Sequence, residues 1–248
     1  MGAALATMAF VPGLALGSFL NVVAARVSLR RSVVHPRSAC MSCEAEITWY
    51  DNIPIVSWLL LRGRCRSCGL TIPWKYPLVE LVTALLVGAC VLAFGPTLDA
   101  AVATLFCAVV VAVSVTDLER KVIPNRIVLP AAAIVLAAQT ALHPSPQWTL
   151  GAFLAALFLF IAAFAYPAGM GMGDVKLALL LGAMLGRTVP VAMMFAMLSA
   201  LVPSIVLLVR HGAAARKMAI PFGPFLALGG IVALFVGGPL VEASLRLL

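Results

Sequence analysis

Residues 168–182 read AGMGMGDVKLALLLG: a glycine-rich entrance, one aspartate and one lysine, then an unbroken apolar run. A carboxylate at the mouth of such a run needs a reason to be there. The rest of the chain is equally apolar, with 63% of its 248 residues hydrophobic, only 10% charged, and a mean hydropathy of +1.11. That composition excludes an ordinary soluble domain. Apolar stretches near the bilayer-spanning length of about 20 residues recur along the chain, separated by short polar punctuation. They predict eight helices, at about 3–26, 77–95, 98–116, 127–142, 150–168, 174–188, 189–209 and 222–245, the sixth of them short. The expected fold class is an all-α polytopic membrane protein whose first partner is the lipid bilayer. The first run has no basic stretch before it and Arg26 after it, so it reads as a retained helix and not as a signal peptide.

A net charge of +8 raises the question of nucleic acid, and the placement of the charges answers it. With eight spans, fifteen of the seventeen Lys and Arg residues share one side, and only Arg187 and Arg246 fall on the other. This asymmetry orients the chain with both termini outside the cytoplasm. The basicity is topogenic, and no nucleic-acid partner is expected.

One segment breaks the hydrophobic pattern. The chain divides into a first transmembrane helix (1–28), a small cytoplasmic insertion (29–76) and the remaining transmembrane bundle (77–248), with no convincing internal repeat and no low-complexity linker. The insertion carries Cys40-Met41-Ser42-Cys43 and Cys65-Arg66-Ser67-Cys68. Two C-x-x-C turns let four thiolates converge on one ion and complete a tetrahedral zinc site closed to water. Two disulfides or a redox pair are the other readings, and the reducing cytoplasm opposes the first. A closed tetrathiolate site is structural, and in so short a segment the ion would supply much of the folding energy. Cys90 and Cys107, alone in apolar helices, read as small buried side chains.

Among the nine acidic residues, Asp117 and Asp174 stand out. Asp117 follows CAVVVAVSVT at the cytoplasmic end of one predicted helix, and Asp174 begins another, so both lie at one membrane face. An ionisable group at membrane depth costs about 2.5 to 3.5 kcal/mol on insertion scales, which makes it a functional candidate. The bland alternative is that each caps its helix or pairs with Lys121 or Lys176. Two carboxylates brought together share one proton; one can then activate water while the other polarises a peptide carbonyl. Gly169, Gly171 and Gly173 would let an extended backbone approach. The run has no G-x-G-x-x-G spacing and the chain no H-E-x-x-H or G-x-S-x-G, while His35, His143 and His211 are scattered.

Five ordered blocks resemble one family. GSFLNVVAARV from Gly17, SWLLLRGRCRSCGLTIPWKYPLVELVTALL from Ser57, DLERKVIPN from Asp117, GMGDVKL from Gly171 and IPFGPFLALG from Ile220 are similar to segments of the type IV prepilin peptidases, membrane aspartyl proteases with a G-x-G-D motif. The resemblance implies that Asp117 and Asp174 are the catalytic pair, with Gly171, Gly173 and Lys176 as motif residues around the substrate. It implies an enzyme of the bacterial inner membrane that cuts the basic leader of a prepilin or pseudopilin after glycine. It also implies, through Cys40, Cys43, Cys65 and Cys68, a zinc module and N-methylation of the new N-terminus with S-adenosylmethionine. Met41, where proline is common, and Lys75, where arginine is expected, depart from the pattern. An ion-coupled transporter with a zinc domain and a non-catalytic secretion-system assembly factor are the competing readings. Glu80 lines a site or caps a helix, and nothing in these motifs sets an oligomeric state.

Overall fold

The computed structural model describes residues 2–165, 170–212, 214 and 220–246. Gly169 of the glycine run and the basic residues Arg216 and Lys217 lie outside them. Among the described residues nine α-helices follow in order: α1 (Gly2–Val27), α2 (Val56–Leu60), α3 (Lys75–Phe94), α4 (Leu98–Arg120), α5 (Asn125–Leu142), α6 (Gln147–Ala165), α7 (Met172–Leu185), α8 (Val189–His211) and α9 (Gly223–Leu245). Eight of them are the long helices expected from hydropathy. The ninth, α2, is a single turn inside the polar insertion.

Among the described residues seven stretches are long and apolar enough to cross a membrane, and one of these, Met172–His211, holds both α7 and α8. A 3-10 turn, Gly186–Thr188, separates the two, with Gly186 at φ +52° ending α7. At 14 residues α7 is about 21 Å long, short of a hydrocarbon core of about 30 Å.

The chain falls into two compact units, Met1–Ala112 and Val113–Leu248, with the division inside α4. In the first, α1 packs on α3 through two glycines one helical turn apart. A Cβ at Gly13 would lie 2.7 Å from Ala84 Cα, and one at Gly17 2.6 Å from Glu80 Cα. Small residues let the two backbones touch, which is how helices associate where lipid removes the hydrophobic drive. Cys90 and Cys107 are not isolated from each other: their sulfurs lie 3.9 Å apart between α3 and α4.

In the second unit α7 is the hub, buried at ten of its fourteen positions and packed on α5, α6 and α9. Its contact with α6 has no room for side chains, since a Cβ at Gly182 would collide with the Gly151 carbonyl oxygen. The outer face of α6 presents Phe153, Ile161 and Phe164, 62%, 59% and 79% exposed, as a lipid-facing surface should.

Candidate functional site

Four elements of the second unit meet at one end: the last turn of α4 and the first turns of α5, α7 and α9. Asp117 sits in that last turn of α4, 5% exposed, and Asp174 in the first turn of α7, 7% exposed. Each carboxylate is held by the backbone N–H of a glycine. Gly223, at the start of α9, donates to Asp117 Oδ2 at 2.9 Å, and Gly171 donates to Asp174 Oδ2 at 3.2 Å. The two carboxylates are near enough to repel each other.

Three further contacts explain this convergence. After α4 the chain turns through Lys121 at φ +54°, whose N–H returns to the Asp117 carbonyl at 2.8 Å. The loop then lays Ile123 against Gly173, where a Cβ would come within 2.8 Å of the isoleucine. Gly173 therefore joins the loop after Asp117 to the turn carrying Asp174, and the room there is filled by Ile123. Gly171 stays open, with no neighbour nearer its Cβ position than Asp174 Oδ2 at 3.7 Å. Finally, Lys176 Nζ donates to Asn125 Oδ1 at 3.0 Å, tying α7 to the start of α5. The lysine is a strut between helices. Asp174 does satisfy an N-terminal N–H of α7, as a capping carboxylate would, and still lies within electrostatic reach of the second carboxylate.

Gly223 and Asn125 were not singled out from sequence. Both lie in recognised blocks, but their partners are distant along the chain, 106 residues away for Gly223.

In the first unit, the four cysteine sulfurs lie within 4.8 Å of one another, with Cys40 Sγ and Cys68 Sγ 3.7 Å apart. A zinc–sulfur bond of about 2.3 Å gives a tetrahedron edge of about 3.8 Å, so the donor set fits such an ion. The backbone N–H groups of Cys43 and Ser42 hold the Cys40 thiol down at about 6. Against the pull of the Leu70 N–H, partial desolvation and the neighbouring sulfurs push Cys68 up to about 11.

The two halves of this cluster repeat one another, contrary to the expectation of no internal repeat. Cys40 N–H donates to Ala45 O, Glu44 N–H to Cys40 O and Ile47 N–H to Ser38 O; 25 residues on, Cys65, Gly69 and Ile72 make the same three bonds to Leu70, Cys65 and Gly63. The sequence signal is C-x-S-C-x-x-x-I-x-W, at Cys40–Trp49 and again at Cys65–Trp74. A bidentate pair, Arg66 Nε and Nη2 to Asp51 at 2.7 and 2.6 Å, ties the second knuckle to the 3-10 turn after the first.

Glu80 does not cap α3, which begins five residues before it. It is 8% exposed and accepts the Ile55 N–H at 2.7 Å, which fastens the insertion to α3.

The fold and these two centres define a multi-pass membrane protein with a buried carboxylate pair and a separate four-cysteine module. Residues 11–94 match the family described as "Bacterial Peptidase A24 N-terminal domain" and residues 104–208 the "Type IV leader peptidase family". A Bacillus subtilis protein named "Prepilin leader peptidase/N-methyltransferase" is 35% identical over 96% of this chain and 97% of its own length. Proteins of the same name from Myxococcus xanthus and Aeromonas salmonicida are 39% and 34% identical, covering 87% and 93% of this chain and 67% and 90% of theirs. No solved structure matches. The chain belongs to the type IV leader peptidase family.

Proposed function

We propose that this chain removes the leader of a prepilin or pseudopilin with Asp117 and Asp174, and methylates the amine that the cut exposes. The observation that carries the reading is the pairing of two buried carboxylates at one helix end, each steadied by a glycine N–H. An ionised carboxylate takes a proton from water, and the resulting hydroxide adds to the scissile carbonyl carbon while the protonated partner donates to the carbonyl oxygen. The tetrahedral diol collapses with cleavage of the C–N bond: one of its hydroxyls returns a proton to the second carboxylate as the carbonyl re-forms, and the acid formed in the first step protonates the departing amine. No covalent enzyme intermediate is needed. Cleavage after glycine and a basic leader are carried over from the family.

Cys40, Cys43, Cys65 and Cys68 would hold a zinc ion whose four thiolates leave no open position, so the ion shapes the module and activates no water. S-adenosylmethionine would supply the methyl group. The methyl-transfer half is supported by the relatives' names, and no donor-binding residue is assigned to it. The distribution of Lys and Arg supports a cytoplasmic side for both centres.

The test is cleavage of a purified prepilin in detergent, wild type beside Asp117→Asn and Asp174→Asn, with mass spectrometry of the product's N-terminus. Wild type alone should release the leader, and should add a methyl group when the donor is present. A folded Asn variant that still cleaves would remove that aspartate from the mechanism.

A further inference from the structure

The polar insertion contains one stretch that does not look polar: Ile53-Pro54-Ile55-Val56-Ser57-Trp58-Leu59-Leu60. Ile53, Val56, Leu59 and Leu60 are 42%, 47%, 61% and 79% exposed, a run that water would punish. Arg62 and Arg64, both exposed, follow at once.

The depth of this stretch is fixed by α3. With 20 residues, α3 is about 30 Å long and just matches a hydrocarbon core, so its first residue, Lys75, marks the boundary. Glu80 lies five residues further, about 7 Å along the axis, and its side chain leans back toward the helix start. The Ile55 N–H is bonded to that carboxylate at 2.7 Å. The apolar turn is thereby held at or below the level where headgroups meet acyl chains.

The backbone is finished for such a place. Ile55, at φ +60° and ψ −50°, is the centre of a classic γ-turn closed by Val56 N–H to Pro54 O at 2.6 Å, a strained shape for a β-branched residue. Strain of this kind persists only where the surroundings impose it. Around it, the N–H groups of Ser57, Leu59, Leu61, Arg62 and Gly63 all return to carbonyls within the segment. The Ile53 N–H is taken by Ser57 Oγ, and Trp58 Nε1 donates to Ile72 O. A segment with exposed apolar side chains and satisfied donors is what lipid accepts and water does not.

We infer that Ile53–Leu60 is an interfacial membrane anchor of the cysteine module, with Leu59 and Leu60 among acyl chains and Arg62 and Arg64 reaching back to anionic headgroup phosphates. The anchor fixes the module's height over the bilayer independently of the peptidase reading.

The test places a fluorescent amino acid at Leu60 in the full chain, reconstituted in nanodiscs of phosphatidylcholine and phosphatidylglycerol. Emission should be lost to nitroxide carried on the acyl chain near the headgroup and resist aqueous iodide. Quenching by iodide and not by the lipid nitroxide would overturn the inference. Iodide quenching that is relieved by adding prepilin would assign the surface to substrate and overturn it equally. If the bulky probe displaces the turn, seen as loss of bound zinc, an aliphatic diazirine amino acid at Leu59 preserves the shape. Its light-induced adducts should be lipid, and adducts to water alone would refute the anchor.

Discussion

At Asp117 the orientation of one carboxylate depends on a residue with no side chain. Gly223 approaches so closely that an added Cβ would stand 2.7 Å from Asp117 Oδ2, on the atom that its N–H now binds. Gly223→Ala should therefore push the carboxylate aside while leaving both aspartates in the sequence. Overpacking of this kind costs about 1–3 kcal/mol. A displacement near 1 Å at a reacting group can cost about 100-fold in rate. Prepilin cleavage should fall by that order with unchanged expression, and a Gly223→Ala variant of wild-type activity would show that the N–H contact does not position the carboxylate. The aspartates themselves were legible, because a charge beside apolar helices is conspicuous in any reading. Gly223 was not, since a glycine announces neither its neighbour nor the reason its side chain is missing.

Between elements the same economy of side chains recurs, and it yields a sharper test of packing. The α6–α7 contact tolerates nothing at Gly182, so Gly182→Ala should cost about 1–3 kcal/mol or more, read as a lower midpoint of thermal aggregation in detergent. An unaltered midpoint would mean that α6 and α7 are not in backbone contact. The helices are visible as apolar runs, whereas their partners depend on where small residues face; the G-x-x-x-G spacing of Gly13 and Gly17 is the sequence signal for the α1–α3 contact. The paired knuckles were hidden differently, because their repeat is one of hydrogen bonds and a few spaced side chains. Their chemistry predicts a pH limit. The Cys40 thiol, held at about 6 against 9.0 for an unfolded thiol, favours the folded form fully above the unfolded value and loses that contribution as pH falls through 6. Zinc measured by mass spectrometry after dialysis should be retained at neutral pH and lost on acidification, as protons compete for the four thiolates. Methylation should disappear with it and cleavage should outlast it at restored pH. Equal loss of both activities would give the module a part in hydrolysis.

At the scale of the whole chain, the Met172–His211 stretch poses the question of how many times the chain crosses the membrane. Counted as one span, it gives seven crossings and puts the termini on opposite sides; counted as two, it gives eight and puts them on the same side. The hydrogen bonds inside the second unit favour eight. Asp117 ends α4, Asp174 opens α7, and the two carboxylates are mutually close. Gly223, which opens α9, is bonded to Asp117. The chain must leave that end along α7 and come back along α8 before α9 can start there, so the 3-10 turn at Gly186–Thr188 is the far bend of a hairpin. A helix of about 21 Å can make that pass because its neighbours, rather than lipid, enclose it. With eight passes the excess of Lys and Arg falls on the side of the cysteine module and the aspartates, the side that the proposed orientation puts in the cytoplasm. Alkaline phosphatase fused after Arg246 should then be active, and fused within residues 29–48 it should be silent, with a cytoplasmic fluorescent reporter giving the reverse at each site. An inactive phosphatase at the C-terminal position, beside a silent one in the insertion, would leave seven crossings and separate the start of α9 from the carboxylate that its first glycine is expected to hold.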